Sequence, residues 1–362
     1  MRRDKGYPVR VLNREGYEDH WISPVTAVDG RNNEEVSRCI AEADIMATAV
    51  GVRVLPLIAP VIAEGLRKRF SLTEKPLNII ICENLIDANL LLKKLIKENL
   101  NVEEGMLFEK RIGLVEASIG RMVPIQTDEM RDGNPLRVCV EAYSFLPIDK
   151  SAIAGKAPLL KGAVLCEKFD FYIQRKLFIH NMGHAICAYL GMLLGDRYIA
   201  DTIGRGDVLF IVQNAMQESA RALSQKFDMP LDDLLDHIND LLQRFSNHAL
   251  GDTCNRVGAD IERKLGAKDR FIGSIQCCTE QGIIPAFTAI GAAAALRCYL
   301  KENKLPELPD TAKQKLWKLS NLPNDSPETA LILSMYTCLA DGKTISELCQ
   351  TAMSIRTKPE VI

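Results

Sequence analysis

The sequence predicts an α/β domain followed by an all-α domain. In the first half of the 362 residues, short apolar runs alternate with helical patterns, and this alternation is typical of parallel βαβ units. After about residue 165 the pattern becomes almost wholly helical. The stretch 145–165 contains prolines and glycines and is the expected connection. We therefore expect two domains, residues 1–165 and residues 166–362.

The first half gives its strand and helix signals in turn. Leu77 to Cys82 is a continuous apolar run, which indicates a buried strand, and the similar run from Asp44 to Val50 ends at Gly51. Asn32 or Asn33 can cap a helix. A turn is expected at 14–16. The expected strands are 7–13, 20–28, 44–50, 77–82, 111–118 and 136–143, and the expected helices are 32–42, 54–69 and 85–99.

The second half is predicted to be a succession of helices. Its apolar residues recur at helical spacing, and glycine, proline and asparagine separate the segments. The expected helices are 166–194, 207–226, 231–244, 254–265, 285–302, 310–318, 326–339 and 344–354.

The composition narrows the class of protein. A hydrophobic fraction of 47% and a charged fraction of 25% are those of an ordinary globular protein. A net charge of -2 and a pI near 6.3 argue against a general nucleic-acid or membrane-surface role. No run of 18 consecutive apolar residues occurs, and the charged N-terminus is not followed by a signal-peptide core. Eleven cysteines without a CxxC suggest a reducing compartment, so we expect a cytoplasmic protein.

One motif has the residue types for proton transfer. Lys176, Asn181 and His184 follow one another in the order K-x4-N-x2-H inside an apolar, helix-prone stretch. At about 100° per residue, Asn181 is expected about 140° from Lys176 and His184 about 80° from it. The three side chains can therefore line one broad face. A lysine base beside an amide and an imidazole suits chemistry at an alcohol or carbonyl oxygen.

This motif has two plainer interpretations. A lone trio of this kind is usually a solvated polar stripe, but residues 169–194 are so apolar that much of the helix must be buried. Gly183 removes a side chain where another group can approach closely. His180 and His184 have the i, i+4 spacing of zinc ligands. The chain has no HExxH and no evident third ligand, so no metal is expected.

The usual dinucleotide-binding loop is not found. An open α/β sheet that binds a dinucleotide normally begins with a strand, a Gly-rich turn and a helix. No GxGxxG occurs, and Gly204-Arg-Gly206 is more simply a turn between helices. The first domain is therefore expected to be an N-terminally truncated Rossmann-like domain that lacks a βαβ unit of roughly 30 residues. We expect such a chain to bind a dinucleotide weakly and to leave a sheet edge exposed.

Taken together, these residues resemble the polyol-specific long-chain dehydrogenases, and most of all those members that act on mannitol 1-phosphate. The stretch 175–191 is the longest and most specific match. Thr48 to Gly51 resembles the family's loop at the dinucleotide, and Cys82-Glu83-Asn84 resembles its Cys-Glu-Asn at a strand end. Residues 256–270 resemble its basic substrate-binding segment.

The resemblance implies catalytic roles. Lys176 is expected to be the general base, with a pKa lowered by burial, because desolvation disfavours the ammonium. Asn181 and His184 are expected to hydrogen-bond the reacting oxygen or neighbouring hydroxyls. The reaction implied is metal-independent hydride transfer between NAD(H) and a polyol phosphate/ketose phosphate pair, such as mannitol 1-phosphate and fructose 6-phosphate.

The resemblance also implies binding roles. Thr48, Gly51 and Asn84 are expected at NAD, and Arg256 and Lys264 at the substrate. Apart from a small polyol or polyol phosphate, no nucleic-acid or membrane partner is expected, and the protein is expected to be a monomer or a weak homo-oligomer.

Each of these supporting residues also has a plainer interpretation. Asn84 can be an N-cap, Glu83 a first-turn carboxylate, and residues 48–51 an ordinary strand end. The cations Arg256, Arg263 and Lys264 can be part of a solvated helix face.

Some positions depart from the family pattern, so alternatives stay open. Ala117 and Gly120 replace a serine and an aspartate, and Ala259 and Ile261 stand where phosphate-using members usually have arginine and proline. One alternative is a polyol or uronate (fructuronate or tagaturonate) dehydrogenase or reductase of the same family. The other is a non-catalytic remnant that cannot bind NAD.

Overall fold

The structure is a computed structural model and describes residues 5–157 and 160–357. The chain separates into two compact units, residues 1–11 with 17–173 and residues 12–16 with 174–362. The first unit contains the strands and the second is helical, which confirms the predicted fold class. The strands are β1 Tyr7–Leu12, β2 Tyr17–Ile22, β3 Met46–Thr48, β4 Leu77–Ile81, β5 Ile112–Glu116, β6 Val138–Glu141, β7 Leu146–Asp149 and β8 Ala163–Cys166.

A parallel sheet of order β3-β4-β5 forms the centre of the first unit. Every residue of β4 is buried, as its continuous apolar run predicts. The predicted buried strand 44–50 is shorter than expected, because β3 has three residues and Ala47 is exposed. Asn78 Oδ1 accepts from the Ala154 N–H at 2.8 Å. The carboxyl ends of these strands place the 48–51 loop and residues 82–84 at one edge.

The remaining strands pair outside the parallel sheet. β1 lies between β2 and β6 in a separate sheet. Residues 136–143 do contain a strand, β6, but the prediction that it belongs to the parallel βαβ series is wrong. β2 begins at Tyr17, earlier than the predicted 20–28, and all six of its residues are exposed. The stretch 145–165, predicted as a plain connection, contains the parallel pair β7 and β8. Strand pairing is non-local, and local patterning does not specify it.

The helices of the first unit cover its parallel sheet. α2 packs on α1 and α3, and Ile62, Leu66 and Leu92 are fully buried in the cluster they share with β4. α4 was not predicted, although Asn101 and Glu104 form the capping box that begins it. The helices are α1 Asn33–Glu42, α2 Leu55–Leu72, α3 Ala88–Lys97, α4 Val102–Arg111 and α5 Asp128–Arg131.

The second unit contains nearly all the predicted helices with boundaries close to those expected. The predicted helix 254–265 is two short helices, and α8 and α13 were not predicted. The helices are α6 Phe169–Arg175, α7 Met182–Leu194, α8 Ile199–Ile203, α9 Gly206–Phe227, α10 Leu231–Phe245, α11 Cys254–Gly258, α12 Ile261–Lys264, α13 Ile272–Glu280, α14 Ala286–Glu302, α15 Pro309–Ser320, α16 Pro327–Ala340 and α17 Ile345–Thr357. α6 begins in the first unit.

α7 is the central helix of the second unit and packs against α9, α11 and α14. Its small residues allow these close approaches. A Cβ added at Gly183 would lie 2.6 Å from the Met216 sulfur. Gly183 therefore allows α9 to pack closely against α7. A Cβ at Gly291 of α14 would lie 2.4 Å from Ile186 Cγ1. Close helix packing accounts for both glycines.

The continuous helical stretch Phe169–Leu194 is long and apolar enough to cross a membrane by length and composition. In this protein 67% of its most apolar window is buried inside the fold. The segment also contains Lys176, His180 and His184. Its apolar surface is therefore that of a core helix, as the sequence predicts.

Candidate active site

Lys176 and Asn181 lie in a π-helix, which differs from the regular helix predicted. The π-helix spans Lys176–Asn181 and joins α6 to α7. In a π-helix the hydrogen bonds run from i to i+5, so each turn contains an extra residue. Lys176 and Asn181 are five residues apart and therefore stand on one face, instead of about 140° apart as in an α-helix. The π-helix therefore reduces the angle between the predicted base and the predicted amide.

His184 is fixed by two neighbours that the sequence analysis did not identify. Its ring stacks on Phe245 with 4.8 Å between centroids and an interplanar angle of 10°. Asp252 Oδ2 lies 3.6 Å from His184 Nε2. The side chain of His184 is 15% exposed and that of Asp252 is 9% exposed. The imidazole is thus held between an aromatic face and a buried carboxylate.

The two predicted substrate cations differ in their surroundings. Arg256 is partly exposed, and its Nη2 contacts Asp252 Oδ1. Lys264 is buried, and its Nζ donates to the backbone oxygens of Val257, at 2.5 Å, and of Ala259. Lys264 therefore spans the break between α11 and α12, where the predicted single helix is interrupted at Asp260 with φ +57°.

Arg270 is a further buried cation of this region. Its Nε donates to Asp269 Oδ1 at 2.8 Å, and its Nη1 donates to the backbone oxygen of Asn181 at 3.5 Å. It is 8% exposed. The guanidinium therefore links the basic segment to the end of the π-helix. Arg270 lies in the segment that the resemblance identifies, and the sequence alone indicates no role for it.

The pKa values of the site follow from burial among these cations. Burial lowers the pKa of the Lys176 ammonium, and the nearby charge of Arg270 lowers it further. Burial also lowers the pKa of His184 to about 3, with Arg256 and Arg270 the next causes. The pKa of Lys264 is lowered to about 8, again mainly by burial. A neutral His184 and a lysine with a lowered pKa suit general-base chemistry.

His180 is a second buried imidazole near His184. Its ring centroid is 6.3 Å from that of His184 and 5.8 Å from that of Phe245. Burial holds the pKa of His180 well below its ordinary value. Across residues 5–157 and 160–357, no group of three or more His, Cys, Asp or Glu side chains is arranged to hold a metal ion.

In the first unit, Glu83 organises the loop predicted to meet the dinucleotide. Its buried carboxylate accepts from the N–H groups of Val50 at 3.0 Å and Gly51 at 2.9 Å. Gly51 has φ +89°, and a Cβ added there would meet open space. The hydroxyl of Thr48 is buried and has no hydrogen-bond partner. A strand-end loop with an unpaired buried hydroxyl and an open glycine fits a bound ligand.

The structure corrects two plainer interpretations. Asn84 is exposed and is not the N-cap of the next helix, because α3 begins at Ala88 and its N-cap residue is Asp87. Glu83 lies outside the first turn of that helix and instead binds the backbone of the 50–51 loop. Thr48, Gly51 and Asn84 belong to the first unit, and Lys176, Asn181, His184, Arg256 and Lys264 to the second.

Comparison with known families gives two matches that together span most of the chain. Residues 1–162 match the mannitol dehydrogenase Rossmann domain, and residues 168–355 match the mannitol dehydrogenase C-terminal domain. The mannitol-1-phosphate 5-dehydrogenases of Bacillus velezensis and Bacillus subtilis are each 37% identical to this chain over 298 residues. Each alignment covers 82% of this chain and 77% of the relative.

Two solved structures have a fold similar to that of this chain. Mannitol 2-dehydrogenase of Pseudomonas fluorescens, determined as a ternary complex with NAD and D-mannitol, superimposes with a TM-score of 0.74 at 17% identity. That alignment covers 96% of this chain and 83% of the other. A substrate-free D-sorbitol dehydrogenase gives a TM-score of 0.72 at 17% identity, covering 98% of this chain and 82% of the other.

Proposed function

The chain belongs to the mannitol dehydrogenase family, as its sequence resemblance predicts, and we propose that it is an NAD-dependent dehydrogenase of a polyol phosphate. The reaction is oxidation of mannitol 1-phosphate to fructose 6-phosphate and its reverse. The observation that carries this proposal is the partly buried Lys176, which lies in the same π-helix as Asn181 and close to the charge of Arg270. The names of the curated relatives support the substrate class.

The protein's own groups perform the proton transfer in this proposal. In oxidation, neutral Lys176 takes the hydroxyl proton through Nζ, and in reduction its ammonium returns that proton to the carbonyl oxygen. The Asn181 amide and the His184 imidazole hydrogen-bond the substrate oxygens. The surrounding cations attract an anionic substrate, and a bidentate arginine suits a phosphate. A bound nicotinamide supplies the hydride chemistry.

The residues at the carboxyl ends of β3 and β4 fit the dinucleotide. The Thr48 hydroxyl is available for a hydrogen bond, and the open space at Gly51 admits close approach. We assign Thr48, Gly51 and Asn84 to NAD, and Arg256 with Lys264 to the substrate. Lys264 would contact the substrate only by giving up a carbonyl partner, so Arg256 is the stronger of these two assignments.

A substrate panel tests the proposal. We would assay mannitol 1-phosphate, fructose 6-phosphate, mannitol, fructuronate and tagaturonate with NAD(H) and with NADP(H). The phosphates with NAD(H) should give the highest kcat/KM. Preference for the free polyol or for a uronate would contradict the phosphate assignment. The absence of turnover with every pair would contradict the enzymatic function itself.

Glu83→Gln is expected to weaken NADH binding about 10-fold, because the amide nitrogen cannot accept from a backbone N–H and one loop hydrogen bond is lost. NADH fluorescence titration of both proteins measures the change. The matched control is Glu104→Gln, which removes a carboxylate that also accepts from a backbone N–H, at the start of α4. Equal NADH affinity in wild type and Glu83→Gln would show that this loop does not contact the cofactor.

A further inference from the structure

We propose that Asp252 is a positioning residue that orients both His184 and Arg256 toward the substrate. This role rests on the proposed function, since it acts through two residues assigned there to substrate binding. One oxygen of the carboxylate, Oδ2, lies 3.6 Å from His184 Nε2, and the other, Oδ1, contacts Arg256 Nη2. A single buried carboxylate thus joins a residue of α7 to one of α11.

The backbone around Asp252 is held independently of its side chain. The Asp252 carbonyl accepts from the Ile199 N–H at 2.9 Å, and Tyr198 pairs with Thr253 in an antiparallel bridge. Thr253 also caps α11 through its side chain. The carboxylate is therefore not needed to hold this segment in place, and its contacts with His184 and Arg256 call for a separate reason.

The carboxylate also determines which nitrogen of His184 carries the proton. An ionised carboxylate only accepts hydrogen bonds, so the neutral ring turns Nε2–H toward Asp252. The distance of 3.6 Å is longer than a hydrogen bond, and such contacts often tighten when substrate binds. Nδ1 is then left without a proton. His184 in this tautomer can accept a hydrogen bond from a substrate hydroxyl.

Phe245 also restricts the orientation of the His184 ring. Its ring stacks on the imidazole at 4.8 Å and restricts rotation of His184 about its side-chain bonds. Phe245 limits the plane of the ring, and Asp252 selects the edge that carries the proton. Burial keeps the imidazole neutral, with a pKa of about 3, so one tautomer can persist across the neutral range.

Nitrogen NMR of 15N-histidine-labelled protein tests the tautomer without any need for turnover. We expect His184 to be protonated at Nε2 in the wild type, with its signals assigned by their loss in His184→Asn. In Asp252→Asn the population should move toward Nδ1–H, because the amide can donate to Nε2. Asp252→Glu, which retains an acceptor, should keep the wild-type tautomer.

Kinetics give the second readout. Asp252→Asn should lower kcat/KM about 10- to 100-fold. The matched control is Asp201→Asn, because Asp201 Oδ1 lies 3.7 Å from His248 Nδ1 in an exposed pair of the same type. Asp201→Asn should leave both the kinetics and the His184 signals unchanged.

Two results would overturn the positioning role: a wild-type His184 protonated at Nδ1, or an Asp252→Asn protein with the wild-type tautomer. Failure of the proposed function would appear separately, as a wild-type protein with the expected tautomer but no turnover of any polyol.

Discussion

Replacing Lys176 by alanine is expected to lower kcat for mannitol 1-phosphate oxidation by about 10²- to 10⁴-fold, the usual contribution of a positioned general base. NADH affinity should stay within about twofold of wild type, because the residues assigned to the cofactor are in the other structural unit. Stopped-flow turnover and fluorescence titration of the same preparations measure the two effects.

Two further substitutions sharpen this test. Lys176→Arg retains a positive charge but supplies no base near neutral pH, since arginine stays protonated in proteins. It should be as impaired as Lys176→Ala. Lys301→Ala removes an exposed lysine from the end of α14 and should be as active as wild type. Near-normal turnover by Lys176→Ala, or rescue by arginine, would exclude Lys176 as the base.

The pH dependence of kcat/KM gives a further test of Lys176 as the base. Oxidation requires neutral Lys176, so kcat/KM should rise with pH through a midpoint below the ordinary lysine pKa of 10.5, because burial and Arg270 both lower the pKa. In Arg270→Met the lowering due to the guanidinium is lost, and the midpoint should move to higher pH. A midpoint that stays in place in Arg270→Met would show that this charge does not act on Lys176.

The sequence predicts the residues of the site better than their arrangement. The order of Lys176, Asn181 and His184 is visible along the chain, and the apolar setting indicates a buried helix. The π-helix is not visible, because one extra residue in a turn leaves nearly the same alternation of polar and apolar residues. The periodicity therefore predicts an angle of about 140° that the backbone does not have.

The neighbours of the motif cannot be predicted from local sequence, because they are distant along the chain. Asp252 and Phe245 reach His184 only through the packing of α7 against other parts of the second unit. Asp252 stands just before the basic segment that the resemblance identifies, and this is the one signal that could have found it. The pairing of β6 with β1 and of β7 with β8 likewise cannot be predicted, because a local sequence pattern does not specify which strand pairs with which.

The second large effect concerns stability in mild acid. His180, His184 and His237 are all at least partly buried, and burial depresses the pKa of each, to about 3 for His184 and His237. Arg175 and Arg244 oppose protonation of His237 as well. In the unfolded chain the three imidazoles have pKa values near 6.5.

The lowered pKa values of these histidines determine how the free energy of unfolding changes with pH. A histidine whose pKa is lowered in the folded state contributes stability that is present above pH 6.5 and is lost as the pH falls toward the folded pKa. Below pH 6.5 the unfolded chain binds up to three more protons than the folded protein at these positions. Each proton lowers the free energy of unfolding by about 1.4 kcal/mol per pH unit, so three lower it by about 4 kcal/mol per unit. The pKa of the buried Glu218 is raised to about 7, so the folded protein keeps a proton there that the unfolded chain has lost, and this offsets one of the three. We therefore expect the free energy of unfolding to fall by about 3 kcal/mol per unit between pH 6.5 and 5, a large part of the roughly 5–15 kcal/mol by which domains are stable.

Urea unfolding at pH 7.5, 6.5 and 5.5 measures this slope. His237→Gln removes one of the three imidazoles, so its free energy of unfolding should fall less steeply with decreasing pH, by about one proton's share. His248→Gln changes an exposed ring and should keep the wild-type slope. Equal slopes in wild type and His237→Gln would show that His237 takes up a proton in the folded protein. A flat wild-type profile would show that two of the three imidazoles take up a proton in the folded protein, because Glu218 offsets the third.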